Sequence, residues 1–274
     1  MESLIKKNGY TWKLSNCEIC QIPRYIKYSV KLNKFYNYKS KCKKCTLTER
    51  NKRQNFSPRK YPVKDYFEII DTPAKSYIFG FLWADGCLYE QKRSNKISVK
   101  SVRVCMQARD AEVIDFFVSI IGGRKKLTTT YDKRNTKTYE QVLWMLNSKR
   151  VHENLVNLNF RKNIHCVPPS LHSHFMRGLI DGDGCYRLKN NILREIKISS
   201  EYDQDWSFLS AIKEIKQFSV LFDVGKKGRG SNFMINGTHQ DRIEFLKWLY
   251  GNLDNFYLKR KYNKIKDEIL RSSS

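Results

Sequence analysis

No run of 18 or more apolar residues occurs anywhere in the 274-residue chain, so no segment reads as a membrane-spanning helix. The first ten residues, Met1 to Tyr10, lack the apolar core of a signal peptide, and secretion is not expected. Acidic residues are scarce as well. Against 52 Lys and Arg stand 27 Asp and Glu, a formal charge of +25 that favours a polyanionic partner. Nucleic acid and an anionic membrane surface both qualify, but no long basic amphipathic helix stands out to support the membrane. The expected setting is therefore the cytoplasm, in association with the nucleoid, or an organellar matrix.

The shortage of acid is steepest in residues 1–60, which hold 16 Lys or Arg and 3 Glu. Aliphatic residues are few there too, so this segment has little with which to build an ordinary core. It does have cysteine: Cys17-x2-Cys20 and Cys42-x2-Cys45, with 21 residues between the pairs, match the ligand type and nearly the spacing of a four-thiolate zinc site. Disulfides are disfavoured in a reducing compartment, and zinc would supply much of the folding free energy of so small a module. Pro58 and Pro62 within NFSPRKYP mark a linker, which puts a zinc-ribbon-like basic module at 1–60. The remaining cysteines, Cys87, Cys105, Cys166 and Cys185, are expected as small core residues.

Beyond the linker the chain reads as built twice. SYIFGFLWADGCLY at 76–89 is answered by HFMRGLIDGDGCYR at 174–187, and the closing glycines Gly86 and Gly184 lie 98 residues apart. The same order of elements follows each copy: a strand (Lys96 to Gln107; Arg194 to Ser200), then a helix (Val113, Phe116, Phe117 and Ile120; Phe208, Ile212 and Ile215). A further strand and helix come next, Met145-Leu146-Asn147 before Val151, Leu155 and Leu158, and Met234-Ile235-Asn236 before Ile243, Leu246 and Leu249. Duplication of a whole fold unit is the reading, with repeats at 61–168 and 169–274.

Each repeated motif reads as a helix. Thr72-Pro73 suits an N-cap and first turn, Pro168-Pro169 precede the second copy, and Gly86 and Gly184 sit where a left-handed cap would end each helix. Gly80 with Ala84, and Gly178 with Gly182, put small residues on one face four apart, where two backbones can approach closely. Packed about a pseudo-two-fold, the helices would bring Asp85 and Asp183 together at two helix C-termini, where partial negative charge already gathers. Divalent cations with hard oxygen ligands, Mg²⁺ or Mn²⁺, would compensate, and paired carboxylates of this kind serve phosphodiester hydrolysis.

IFGFLWADG at 78–86 and MRGLIDGDG at 176–184 resemble the two signature helices of single-chain LAGLIDADG homing endonucleases, and the resemblance covers roughly residues 65–270. It implies an α+β fold, a duplicated αββαββα unit with saddle-shaped sheets over double-stranded DNA, acting as a monomer that cuts both strands across the minor groove. It assigns the catalytic carboxylates to Asp85 and Asp183. It also implies a basic residue near the end of each repeat, read here as Lys162 and Lys261, and a polar strand residue, read as Gln107 in the first repeat and as Ser200 or Glu201 in the second. Trp83 departs from the family pattern, which Asp181 keeps in the other copy. An intron maturase using the same basic saddle on RNA is the rival reading.

DNA contacts are expected from strand residues Lys96, Lys100, Arg103, Arg194 and Lys197, because a two-stranded ribbon fits the major groove. The glycine-flanked turns carrying Arg124 and Lys125, and Lys226, Lys227 and Arg229, are expected on phosphates. Since the repeats differ throughout, the target should be an imperfect palindrome.

Overall fold

The computed structural model describes residues 4–7, 10–18, 20–29, 34–35, 45, 63–93, 97–132, 136–200, 206–212, 215, 217–223, 230–251 and 256–271. The chain divides into two units, residues 1–56 and 57–274. In the first, strands β1 (Leu4–Lys7), β2 (Tyr10–Asn16), β3 (Pro23–Ser29) and β4 (Lys34–Phe35) form an antiparallel sheet in sequence order. The β2–β3 connection is a tight turn in which Cys17 N–H donates to the Ile22 carbonyl and Gln21 N–H to the Cys17 carbonyl, with Gln21 in the left-handed region (φ 56°).

The second unit repeats one plan. Helix α1 (Pro73–Asp85) leads into β5 (Gly86–Arg93) and β6 (Ile97–Gln107), then α2 (Ala111–Ile120), β7 (Arg124–Asp132), β8 (Lys137–Leu146) and α3 (Lys149–Asn157). Helix α4 (His172–Asp183) then leads into β9 (Gly184–Lys189), β10 (Ile192–Ser200), β11 (Val220–Asp223), β12 (Ser231–Ile235) and α5 (His239–Tyr250), followed by α6 (Lys259–Arg271). The sheets have matching orders, β5-β6-β8-β7 and β9-β10-β12-β11, so the duplicated α+β architecture expected from sequence is the one observed. Two elements differ, one being α6, which has no counterpart in the first repeat. Where the first repeat has α2, the described residues of the second form only a short 3₁₀ segment, Ser207–Ala211, although Phe208, Ile212 and Ile215 are buried as their spacing requires.

Local chemistry fixes the boundaries. Thr72 caps α1 by accepting from Lys75 N–H, with Pro73 in the first turn. Asn190 and Asn191, at φ 54° and 56°, close β9 onto β10 with the two-residue turn that suits strand twist. The sheets alternate cleanly: Val102, Val104 and Met106 of β6 and Val142, Trp144 and Leu146 of β8 face the core, as do Ile196 and Ile198 of β10. Trp144 stacks edge-on with Phe117 of α2 (centroids 5.4 Å apart) and its indole N–H donates to the Gly122 carbonyl at 2.9 Å, pinning that helix to its sheet. The opposite faces stay open.

Two expectations are corrected. Gly86 and Gly184 are extended (φ −77° and −80°), because each is the first strand residue and no left-handed turn intervenes. Glycine is needed there because a Cβ would overlap the carbonyl oxygen of Leu82 or Ile180 one turn back. Cys87, Cys105 and Cys185 are exposed, not core, because strand parity puts them opposite Val104 and Tyr186; Cys166 is half-buried.

Candidate functional site

Helices α1 and α4 cross through glycine. A Cβ on Gly80 would overlap the Phe175 carbonyl, and a Cβ on Gly178 would overlap the Tyr77 carbonyl. These contacts are reciprocal, since Phe175 and Gly178 each lie 98 residues beyond Tyr77 and Gly80, and reciprocity of that kind is what a two-fold axis imposes. Gly182 completes the approach, with no room for a Cβ beside Ala84. Closer packing than any other residue allows therefore sets the two C-termini side by side.

Asp85 and Asp183 are the last residues of those helices, half-buried and close enough that the charge of Asp183 acts on Asp85. Burial, then Asp183, pushes the Asp85 carboxyl up to about 6, against the opposing pull of Lys261 and Arg161. Burial likewise raises Asp183, opposed by the same two cations. Each helix end disfavours a carboxylate by about 0.3–1 kcal/mol on dipole grounds, so two there are an arrangement folding alone would avoid.

The neighbouring cations are committed elsewhere. Lys261 is buried and its Nζ donates to the carbonyls of Ile180 (2.7 Å), Asp181 (2.8 Å) and Gly182 (3.1 Å), filling all three ammonium donors at the end of α4. Arg161 does the same for α1, donating through Nε to Trp83 O and through a terminal nitrogen to Ala84 O, both at 2.6 Å. Asn159 and Arg161 adopt φ of 54° and 62°, the turn that swings this guanidinium back to the helix. Among the described residues, neither Asp85 nor Asp183 has an ion-pair or hydrogen-bond partner. The result is two converging carboxylates in a positive field, with their oxygens open.

The basic side chains that reach the ends of the two motif helices are thus Arg161 and Lys261. Lys162, the sequence candidate in the first repeat, is exposed in a turn where its N–H donates to the Asn159 carbonyl, and the structure turns its neighbour toward the helix instead. Gln107 is the last residue of β6, two beyond Cys105 on the same exposed face and level with Gln141. The β5–β6 register, Gly86 opposite Val104, puts Cys105 level with Asp85, and the Asp85 charge adds to burial in raising that thiol. Gly184 opposite Ile198 puts Ser199 level with Asp183, where its hydroxyl donates to Asn232 Oδ1 at 2.9 Å. Ser200 is one residue beyond, and Glu201 lies outside the described residues.

Asp181 and Trp83 occupy equivalent places with different chemistry. Asp181 is fully buried, accepts from Tyr77 Oη (2.9 Å) and Leu258 N–H (2.7 Å), and so ties the two crossed helices to the start of α6, which carries Lys261. Burial pushes its carboxyl up to about 6. Trp83 instead packs among Phe79, Phe160, Phe175 and Phe208, at 4.8–6.0 Å between centroids.

On the open sheet faces, Cys87, Arg103, Met145 and Arg124 form one cross-strand row, and Cys185, Lys197, Met234 and Leu221 form its equivalent. Arg103 lies over the Tyr89 ring at 3.5 Å. Arg194 is exposed at an irregularity in the β9–β10 pairing. Lys100 points to the other side of its sheet, where it pairs with Glu153 of α3 at 3.1 Å, because residues three apart in a strand cannot share a face with Arg103. Lys125 likewise turns to the helix side, pairing with Asp115 of α2 at 2.6 Å, and both Arg124 and Lys125 are strand residues where a loop was expected. Lys96, Lys226, Lys227 and Arg229 lie outside the described residues.

In the first unit the ligand atoms of Cys17, Cys20 and Cys45 lie within 4.8 Å of one another, a spacing compatible with a shared metal ion; Cys42 lies outside the described residues.

No family model matches the sequence, and no curated protein does. Solved structures do. Mesophilic variants of the homing endonuclease I-DmoI are similar over 66% of this chain and 92% of theirs (TM-score 0.47, 14% identity), and the LAGLIDADG homing endonuclease I-LtrWI, bound to target DNA, over 77% and 91% (TM-score 0.48, 10% identity). I-GzeII, also with its DNA target, is similar over 74% and 92% (TM-score 0.46, 12% identity).

Proposed function

We propose that this chain is a LAGLIDADG-type, divalent-metal-dependent DNA endonuclease that cuts both strands of a long, imperfectly palindromic site as a monomer. The observation that carries this reading is the open carboxylate pair, Asp85 and Asp183, forced together by glycine-mediated crossing while the nearest cations cap backbone carbonyls. The donor set, two hard oxygen-bearing groups already destabilised as charges, fits Mg²⁺ or Mn²⁺. Bound there, such an ion would lower the pKa of a coordinated water and stabilise charge on the scissile phosphate.

The rest of the chemistry belongs to the chain. Asp85 and Asp183 hold the ion and, from opposite repeats, address the two strands. Lys261 and Arg161 keep each helix end in place and supply positive potential toward a phosphodiester without neutralising the carboxylates by direct pairing. The open sheet faces present Arg103 and Arg124 on one side and Lys197 on the other, spacing suited to base edges and phosphates in the major groove. The four cysteines of the basic N-terminal unit are assigned to one structural zinc ion. Incubation of a randomised duplex library with the protein and Mg²⁺, against the same reaction with a chelator, tests the reading. Metal-dependent breaks at one enriched sequence are expected; intact DNA in both reactions, with stimulation of RNA splicing instead, would overturn it.

A further inference from the structure

Helix α6 follows the second repeat and has no counterpart in the first, where residues 158–168 pass by turns from α3 toward α4. It is fixed at both ends. At its start Arg260 grips Asp110 with two hydrogen bonds of 2.8 Å, Leu258 N–H donates to Asp181, and Lys261 caps α4 beside Asp183. At its far end Arg271 donates to the Asn191 carbonyl, at 3.4 Å, in the β9–β10 turn. Its 13 residues span about 20 Å at the usual helical rise, so α6 runs alongside the β9–β10 hairpin from the carboxylate pair to the hairpin tip.

Lys261, Ile265 and Glu268 form its buried side. Lys264, Asp267 and Arg271, at helical spacings of three and four, join Asn263 as one wall of an open groove of about 900 Å³. The floor is the exposed face of β9 and β10, with Arg187, Glu195, Lys197 and Ser199. Arg187, Lys197, Lys264 and Arg271 outnumber Glu195 and Asp267 in the lining, with Glu195 3.5 Å from Arg187 and Arg271 3.4 Å from Glu268 outside it. A cationic helix wall beside a β-ribbon with cationic floor residues matches a nucleic-acid backbone held in the groove while the ribbon reads base edges.

We infer that α6 is a DNA-backbone contact present on the second half-site only, with Lys264 taking a phosphate beside the stretch that the β9–β10 ribbon spans. This rests on the DNA-cleavage reading and adds to it a sequence-independent backbone contact that strengthens the hold on one half-site.

The test measures duplex binding by the full chain, wild type, Lys264→Ala and Lys266→Ala, at about 50 and about 200 mM salt, with phosphate-ethylation interference on the same target. Lys266 is exposed on the same helix but does not line the groove. Lys264→Ala should weaken cognate and unrelated duplexes alike and reduce the log–log salt slope by about one, so that its deficit shrinks about threefold between those salt concentrations. Interference at one phosphate within the second half-site should vanish in that variant, and Lys266→Ala should match wild type. An unchanged slope and interference pattern in Lys264→Ala would overturn the role of α6 and leave the cleavage reading standing. Failure of the wild type to bind any duplex would overturn both.

Discussion

The asymmetry between the two halves is concentrated in single side chains. Asp181 accepts two hydrogen bonds in a fully buried setting, from Tyr77 of the other motif helix and from the N–H that opens α6. Asp181→Ala strands a buried hydroxyl and a buried N–H, at a cost of about 1–3 kcal/mol for each group left unpaired. Tyr77→Phe removes one partner and should cost about 1 kcal/mol, which urea denaturation of the two variants would resolve. The convergence of Asp85 and Asp183 was legible in the small-residue spacing of the two motifs. The sequence pointed to Lys162, whereas Arg161 is the side chain that reaches the end of α1, an outcome that depends on a left-handed backbone at 159 and 161 which neither Asn nor Arg announces as glycine would. Lys100 was misassigned for a simpler reason, since the period of two in a strand already separates it from Arg103.

Among the elements, the crossing of α1 and α4 carries the site. Gly80→Ala or Gly178→Ala puts a methyl into a backbone carbonyl of the partner helix, where no side chain can give way, and should cost at least the roughly 1–3 kcal/mol of ordinary overpacking. Thermal unfolding should show both variants less stable than wild type, whereas Ala84→Gly, facing the same seam, should lose only the small helix-propensity difference of about 1 kcal/mol. The small-residue spacing, the N-cap at Thr72 and the strand over Arg194 to Ser200 all read correctly from sequence. The helix expected at Phe208, Ile212 and Ile215 did not: its apolar spacing is satisfied by burial around a 3₁₀ segment, and spacing alone does not distinguish the two. Helix α6 was invisible as a wall because its partner is the distant β9–β10 hairpin.

For the whole molecule, the raised carboxyls make stability depend on pH in a definite direction. Asp85 and Asp181 each go from an ordinary aspartate value of 3.8 when unfolded to about 6 when folded. A raised acid favours the folded state most below the unfolded value, and that contribution is lost as pH rises through about 6. Without added metal, melting temperature should therefore fall between pH 4 and 7 on account of these groups. Divalent cation requires the ionised pair, so the rise in melting temperature caused by Mg²⁺ should be larger at pH 8 than at pH 5, and an equal or smaller shift at pH 8 would contradict a carboxylate metal site. In the N-terminal unit, a metal inventory on the purified chain should find about one zinc per molecule; none would remove the thiolate site. The twofold repeat of the second unit was legible from sequence, while which cations face the open sheet sides depended on register that only the sheets supply.

The open carboxylate pair is tested most directly by cleavage of a mapped target with Asp85→Asn and Asp183→Asn, each assayed for double-strand breaks, single-strand nicks and salt-dependent binding. Both variants should lose double-strand cleavage by at least two orders of magnitude while binding the target within a few-fold of wild type, since neither side chain lies on the open faces of the sheets. Double-strand cleavage at the wild-type rate by both variants would contradict the account.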